Sequence, residues 1–225
     1  MNEFPGNKNL SNKIVFLFII FNLISVFTLT YYSYNVSKIL IFKDTDDRLI
    51  SGAFGVSLAL GDNFHDEIKD KNSISESRHD ANAAKLGEIA SKYGVDYLYS
   101  MMKNSGEIVF TSLSANSEEI KNKSYDKFFT LYKTPSEMLL DVYDKSGYFF
   151  EEFEDEYGYF RSVIIPMKSK GGKHYIAGAD IAISNITARV NAILLNHLIA
   201  GFFVFLLTSL IAVFILKKFL AKVIK

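Results

Sequence analysis

Two hydrophobic stretches, residues 14–32 and 193–216, enclose a long polar segment. Each is long enough to cross a bilayer, since a helix of about 20 apolar residues spans the hydrocarbon core. Neither contains Asp, Glu, Lys or Arg. The first stretch is followed by the tyrosine-rich residues 31–34 rather than by a small-residue cleavage site, which is typical of an uncleaved anchor. The pattern predicts two transmembrane helices.

Short basic tails predict the orientation of these helices. Lys8 and Lys13 precede the first stretch, and the second is followed by a group of four lysines: Lys217, Lys218, Lys222 and Lys225. Lysines close to a span are retained on the cytoplasmic side of the membrane. We therefore expect residues 1–13 and 217–225 to be cytoplasmic and residues 36–190 to lie outside.

The charge balance of the chain separates along the same boundary. The whole sequence is formally neutral, but residues 36–190 hold 19 lysines and arginines against 24 aspartates and glutamates, a net charge of −5. A basic inside and an acidic outside argue against nucleic-acid binding. The absence of cysteine fits an exported domain without disulfides.

The external segment, residues 33–190, has the length of one domain with its own core. Apolar residues at helical spacing predict a helix over 33–60 that continues from the first span, and a second over 75–92 that Ser75 or Ser77 would cap. After Gly94 the spacing changes to short β-type runs separated by turn signals. These runs predict five antiparallel strands at 95–103, 107–113, 137–143, 157–167 and 173–183.

Helices followed by such a sheet define an α+β fold. Residues 128–133 are expected to form a helix or loop across the sheet. Pro166 lacks a backbone N–H, so an edge position or a bulge is expected there. Ser184 and Asn185 are placed to cap a helix that runs directly into the second span.

Several separated motifs resemble the extracytoplasmic single-Cache (PAS-like) sensor domains of bacterial transmembrane receptors, chiefly methyl-accepting chemotaxis proteins. They are Leu60-Gly61-Asp62-Asn63-Phe64-His65-Asp66, Tyr97-Leu98-Tyr99-Ser100-Met101, Val109-Phe110-Thr111-Ser112, Tyr157-Gly158-Tyr159-Phe160-Arg161-Ser162 and Gly178-Ala179-Asp180-Ile181. The resemblance implies a homodimer formed by the long first helix, a small-ligand pocket on one face of the sheet, and a location in the bacterial inner membrane.

In such receptors the second span leads to a cytoplasmic signalling module, and this chain stops at Lys225, before such a module. The expectation is therefore the sensing half of a receptor whose cytoplasmic partners are reached through a further module. A fold does not fix the output. A diguanylate cyclase or histidine kinase output remains an alternative to chemotaxis, and so does a stand-alone membrane-tethered binding protein.

Candidate ligand-binding residues lie on the predicted strands. Tyr97, Tyr99 and Met101 alternate and share one face of the first predicted strand, and Tyr159 and Arg161 do so in the fourth. Aromatic rings facing a guanidinium suit a small carboxylate or an amino acid. The alternative is that the tyrosines are core residues and Arg161 pairs with a surface acid.

Asp180 and Ser112 complete the candidate set. Asp180 lies in a small, apolar run near the end of the last strand, where it would bind a ligand amine or fix Arg161; a structural salt bridge or cap is the alternative. Ser112 belongs to the motifs that carry the resemblance. No cofactor is expected.

Two acidic clusters are weaker candidates for metal binding. Asp62, His65 and Asp66 would share one helical face, but no further ligand completes a site, so a turn or capping role is favoured. Residues 151–156 offer many oxygens without the pattern of a calcium loop, and a solvated loop is favoured. A metal hydrolase at the first cluster ranks last among the functions considered, and no catalysis is predicted in this chain.

Overall fold

A computed structural model describes the backbone of residues 5–223 and the side chains of residues 12–219. Lys8, Lys222 and Lys225 of the predicted tails therefore lie outside the described side chains. The contacts divide the chain into two compact units. We call Met1–Ile41 with Ala188–Lys225 the apolar unit, and Phe42–Thr187 the sheet unit.

The apolar unit consists of the first part of helix α1, Pro5–Leu60, and most of helix α6, Ile183–Val223. Both helices are long and apolar enough to cross a membrane. Many of their large apolar side chains are exposed, and five are 68–69% exposed: Phe21, Leu29, Tyr32, Leu210 and Phe214. Contact with lipid would remove this apolar surface from water. Both features agree with a membrane location.

Polar side chains pair within the apolar unit. The Asn22 amide donates to Thr208 Oγ1 at 2.9 Å and to Ser209 Oγ at 2.8 Å. His197 Nε2 lies 2.9 Å from Ser33 Oγ. In a bilayer such groups have no water to bond with, so hydrogen bonds between the helices satisfy them.

The helices of the sheet unit begin and end at the predicted signals. Helix α1 stops at Leu60, where Gly61 adopts a φ of +85°. A single-turn helix α2, Phe64–Glu67, follows. Helix α3, Glu76–Tyr93, is capped by Ser75, whose hydroxyl accepts a hydrogen bond from Arg78 N, and it ends at Gly94 in the left-handed conformation.

Five antiparallel strands form one sheet in the order β2-β1-β5-β4-β3, which confirms the α+β fold class. Helix α4, Ser117–Asn122, follows β2, and helix α5, Glu137–Val142, precedes β3. The strands are β1 Tyr97–Asn104, β2 Glu107–Leu113, β3 Phe149–Asp155, β4 Gly158–Lys168 and β5 His174–Ala182.

Four of the five strands lie where the sequence predicts them, and the strand over 137–143 is wrong. That segment is helix α5. Ser136 caps it by accepting from Leu139 N at 3.0 Å. An N-cap serine followed by Glu137 and by Met and Leu residues, which are not β-branched, is a helix start, and these local signals outweigh the short apolar run.

The fifth strand comes from the acidic run that was expected to be a solvated loop. Residues 149–155 pair with β4 along their whole length and form the edge strand β3. Phe149, Glu151, Phe153 and Asp155 alternate with more exposed residues. The period of two was present in the sequence, but the density of charge hid it, although charged residues are common on edge strands.

Pro166 lies in β4, which is an internal strand, yet its position meets the expectation. Pairing between β3 and β4 ends at Ile164, so beyond that residue β4 is bonded to β5 alone. The missing N–H therefore costs no pairing with β3. Residues 128–133 are not helical and follow the free edge of β2, where Tyr132 N donates to Ile108 O at 2.8 Å.

The two faces of the sheet are covered differently. Helix α3 packs against β1 and β2 on one face. There Ala115 N donates to Ala83 O of α3 at 3.1 Å, which holds the helix close to the chain that follows β2. The other face is covered by the connection that includes α5, and it contains a buried cluster with Tyr132 and Leu139 from this connection.

The close approach of α3 to Ala115 gives a stability test. A Cβ at Gly87 would lie 2.2 Å from Ala115 O. Gly87→Ala should lower the free energy of unfolding by about 1–3 kcal/mol through overpacking, although alanine alone would favour the helix by about 1 kcal/mol. Urea unfolding of the detergent-solubilised chain, followed by tyrosine fluorescence, measures the change. Glu88→Ala on the exposed side of α3 is the control, and equal stabilities would contradict the packing.

Candidate functional site

A cavity lies between the sheet and the connection that carries α5. It offers about 50 Å³ to the centre of a water-sized sphere, room for a small molecule. Its apolar walls come from rings and aliphatic side chains, among them Tyr97, Tyr99, Phe110, Tyr132, Leu139 and Phe160. We call it the Asp180 cavity, after the carboxylate on its central strand.

The polar groups of the Asp180 cavity form a row across the sheet. Asp180 of β5 pairs with Tyr97 of β1 on one side and with Ser162 of β4 on the other. Ser162 in turn pairs with Glu151 of β3. Paired residues point to the same face, so all four side chains project into the space that the connection covers.

Asp180 is the most perturbed carboxyl group of the cavity. Burial raises its pKa to about 7, although hydrogen bonds from Ser162 and Tyr99 oppose the shift. The Tyr99 hydroxyl donates to Asp180 Oδ1 at 3.0 Å. Glu151 and Asp155 add a smaller upward effect on the pKa because they bring like charge. A perturbed carboxyl group in a cavity marks a candidate binding site.

The other two carboxylates are held by the covering connection. The Ser136 hydroxyl donates to Glu151 Oε1 at 2.7 Å, and burial raises the pKa of Glu151. The Tyr132 hydroxyl donates to Asp155 Oδ2 at 2.6 Å. Burial, and then this hydrogen bond, raise the pKa of Tyr132. Two hydrogen bonds to carboxylates thus join the covering connection to strand β3.

The charge of the lining is one-sided. Asp180, Glu151 and Asp155 line the cavity, and among the described residues no Lys, Arg or His does. Tyrosine and phenylalanine faces also attract cations. The arrangement suits a small molecule with a positive charge, whose presence would offset the cost of bringing three acids together.

Most of the predicted residues on β1 and β5 reach this cavity. Tyr97, Tyr99, Met101 and Asp180 all line it. Ser112 does not: it is buried elsewhere, and its hydroxyl has no partner among the described residues.

Tyr159 and Arg161 point to the opposite face of the sheet, because Ser162 and Phe160, their neighbours in β4, are the residues that line the cavity. Arg161 binds Asp46 of α1 with both Nε and Nη2, at 2.6 and 2.8 Å. Alternation correctly groups residues within a strand, but it does not tell which face of one strand matches which face of another.

The residues that sequence reasoning missed come from β3, β4 and the connection. They are Tyr132, Ser136, Glu151, Phe153, Asp155, Tyr157, Phe160 and Ser162. For β3 a signal existed in the alternation of phenylalanine and acid. For Tyr132 and Ser136 no local signal existed, because their role depends on how the connection folds over the sheet.

Within the first acidic cluster, Asp66 has a structural role at a turn, as favoured from the sequence. Asp66 accepts hydrogen bonds from the Ser169 hydroxyl and from Gly171 N at 2.7 Å, and so holds the turn between β4 and β5. His65 is buried and stacked on Tyr175, and burial lowers its pKa to about 3. Among the described residues, no group of three potential ligands is placed to hold a metal ion.

No family model matches the chain, and no curated protein matches it significantly. Solved structures similar to it include the ligand-binding domain of the Campylobacter jejuni chemoreceptor Tlp3 in complex with L-valine, with 15% identity, a TM-score of 0.44 and coverage of 84% of this chain and 68% of that one. The sensory domain of Tlp3 matches with 13% identity, a TM-score of 0.44 and coverage of 74% and 66%.

An extracellular ligand binding receptor from Desulfohalobium retbaense matches with 10% identity and a TM-score of 0.44, over 76% of this chain and 27% of that one. The chain thus spans about two thirds of the Tlp3 structures and about a quarter of this receptor. These neighbours are sensor and receptor domains.

The raised pKa of Asp180 predicts a pH dependence. The folded protein keeps a proton on Asp180 up to about pH 7, whereas the unfolded chain loses it near the ordinary value of 3.8. Stability from this group is therefore present in acid and falls as pH rises from about 4 to about 7. Thermal unfolding of the ligand-free chain in detergent should show a smaller fall for Asp180→Asn. Glu154→Gln, on the exposed side of β3, is the control, and parallel profiles for wild type and Asp180→Asn would contradict the assignment.

Proposed function

We propose that this chain is the sensing half of a transmembrane chemosensory receptor of the methyl-accepting type, and that its sheet unit binds a small metabolite carrying an ammonium group. The Asp180 cavity is the observation that carries this proposal. It combines three carboxylates with aromatic walls, and no basic side chain among the described residues lines it. The proposal assigns binding to this chain and no reaction.

The charge of the lining suits the ammonium group of a ligand and not a carboxylate group. The one arginine expected to grip a carboxylate, Arg161, is bound to Asp46 and to Glu152, and it lies between the rings of Phe42 and Phe150. An ammonium group would instead meet Asp180 and Glu151 directly. Because a cation favours the ionised form of Asp180, binding would release a proton and strengthen as pH rises toward about 7.

The route from the cavity to α6 is short. Asp180 lies on β5, which ends at Ala182, and α6 begins at Ile183. Asp96 N donates to Asp180 O at 2.9 Å, and the Asp96 carboxylate accepts from Ala182 N at 2.7 Å and from the Asn185 amide. A ligand that prefers one position of β5 would therefore bias the start of α6 and shift the population of signalling states.

Location and assembly follow from the same proposal. We place the apolar unit in the bacterial inner membrane with both termini cytoplasmic, the sheet unit outside, and the signalling module beyond the second span. A homodimer along α1 has support from two apolar side chains four residues apart, Phe54 and Leu58, which are 46% and 82% exposed. Such neighbours form one stripe on a helix.

The ligand class has a direct test on the full chain in detergent micelles. Calorimetry and thermal shift should detect small amines such as butylamine, and acetate should give no signal. Asp180→Asn should weaken amine binding roughly 10- to 100-fold, because a hydrogen bond to a charged group contributes about 1.5–3 kcal/mol.

Glu154→Gln is the matched control for this test, since it removes one acid from the same sheet without touching the cavity, and it should bind amines as wild type does. Binding of acetate but of no amine would reject the proposed ligand class. Equal amine affinities for wild type and Asp180→Asn would remove Asp180 from the site.

The coupling route has its own test in hydrogen exchange. Butylamine should slow exchange of the amides of residues 182–187 in the wild type, because it would restrain β5 where α6 begins. In Asp96→Ala butylamine affinity should stay within about threefold, while this protection is lost. Undiminished protection in Asp96→Ala would contradict the route through Asp96.

A further inference from the structure

A second, wider groove adjoins the Asp180 cavity. By the same measure of volume it offers about 500 Å³, against about 50 Å³ for the cavity. Three aromatic side chains, Tyr97, Tyr157 and Phe160, line both spaces. We call this second space the Asp96 groove, after the acid that also holds the start of α6. The shared rings make the two spaces neighbours along one aromatic surface.

The Asp96 groove is lined by the same kind of charge as the cavity. Its ionisable carboxylates are Asp96 and Glu119, and among the described residues no Lys, Arg or His lines it. The acids of the groove and of the cavity lie near the same side chain, Tyr97. Burial is the main cause of the raised pKa of Tyr97, and the charges of Glu119, Asp96 and Asp180 raise it further. Acids of both spaces thus act on the tyrosine that lines both of them.

The two acids of the groove differ in their remaining hydrogen-bonding capacity. Both oxygens of Asp96 accept hydrogen bonds, from Ala182 N and from the Asn185 amide. Glu119 uses only Oε2, which accepts from Asn116 N at 2.7 Å in the capping box of α4. Its other oxygen, Oε1, has no partner among the described residues. Glu119 is therefore the acid of the groove that can accept a hydrogen bond from a ligand.

We propose that the Asp180 cavity and the Asp96 groove together form one elongated site for a linear aliphatic diamine. One ammonium group lies at Asp180, and the other lies at Glu119. The methylene chain between them packs along Tyr97, Tyr157 and Phe160, whose faces suit both CH₂ groups and cations. This assignment rests on the proposed function and extends it to a ligand with two charges.

Amines that differ in one terminal group test the assignment on the full chain in detergent micelles. Diaminobutane and butylamine have the same carbon chain, and only the first carries a second ammonium ion. Calorimetry should show diaminobutane binding about tenfold more tightly, the expected effect of one additional charge-assisted contact. Glu119→Gln should bring the diamine down to the affinity of butylamine and leave butylamine unchanged. The amide of glutamine can still cap α4, so this variant should fold.

Glu118→Gln is the matched control, because Glu118 is the exposed neighbour on the same turn of α4 and does not line the groove. It should retain the advantage of the diamine. Equal binding of diaminobutane and butylamine by the wild type would overturn the elongated site while leaving the single-amine site standing. Binding of no amine at all would overturn both. An equal loss of both ligands in Glu119→Gln would also overturn the extension.

Discussion

Asp180 projects from the central strand of the sheet, and much of the structure depends on the cost of holding a carboxyl group there. Strand β5 is paired with β1 on one side and with β4 on the other, so the side chain cannot turn away without breaking a ladder. Burial keeps the pKa near 7. Tyrosine and serine hydroxyls lessen the cost but do not remove it, and the acids of β3 increase it. This cost is the physical basis of the proposed binding of a cationic ligand.

In the proposed receptor, the same strand would connect recognition to transmission. The backbone of Asp180 is bonded to Asp96, and the Asp96 side chain holds the first residues of α6. Two hydrogen-bonded steps therefore separate Asp180 from the helix that continues into an apolar, membrane-length segment. A ligand shifts such an equilibrium only as far as its affinities for the two states differ.

The sequence was sufficient for features that depend on local periodicity and local signals. The sequence predicts two apolar helices of membrane-spanning length. It also predicts the bounds of α3 with its Ser75 cap, strand β2 and the grouping of Tyr97, Tyr99 and Met101 on one face. The features that it missed depend on contacts between distant segments. Arg161 and Asp46 are far apart in the chain, and no pattern within β4 shows which of its faces meets α1. Charge density hid β3, and a short apolar run hid the capped helix α5.

Gly178 adds a consequence for selectivity. It lies on β5 two residues before Asp180, and a methyl group there would come within 2.1 Å of the Tyr99 ring. The ring therefore rests on bare backbone, and its hydroxyl reaches Asp180 from that position. A floor made of paired main chain cannot change rotamer to accommodate a bulkier guest. In the proposed site, ligands that differ by a single branch would then be distinguished by a rigid template. A change of ligand preference would have to come from the covering connection that carries α5.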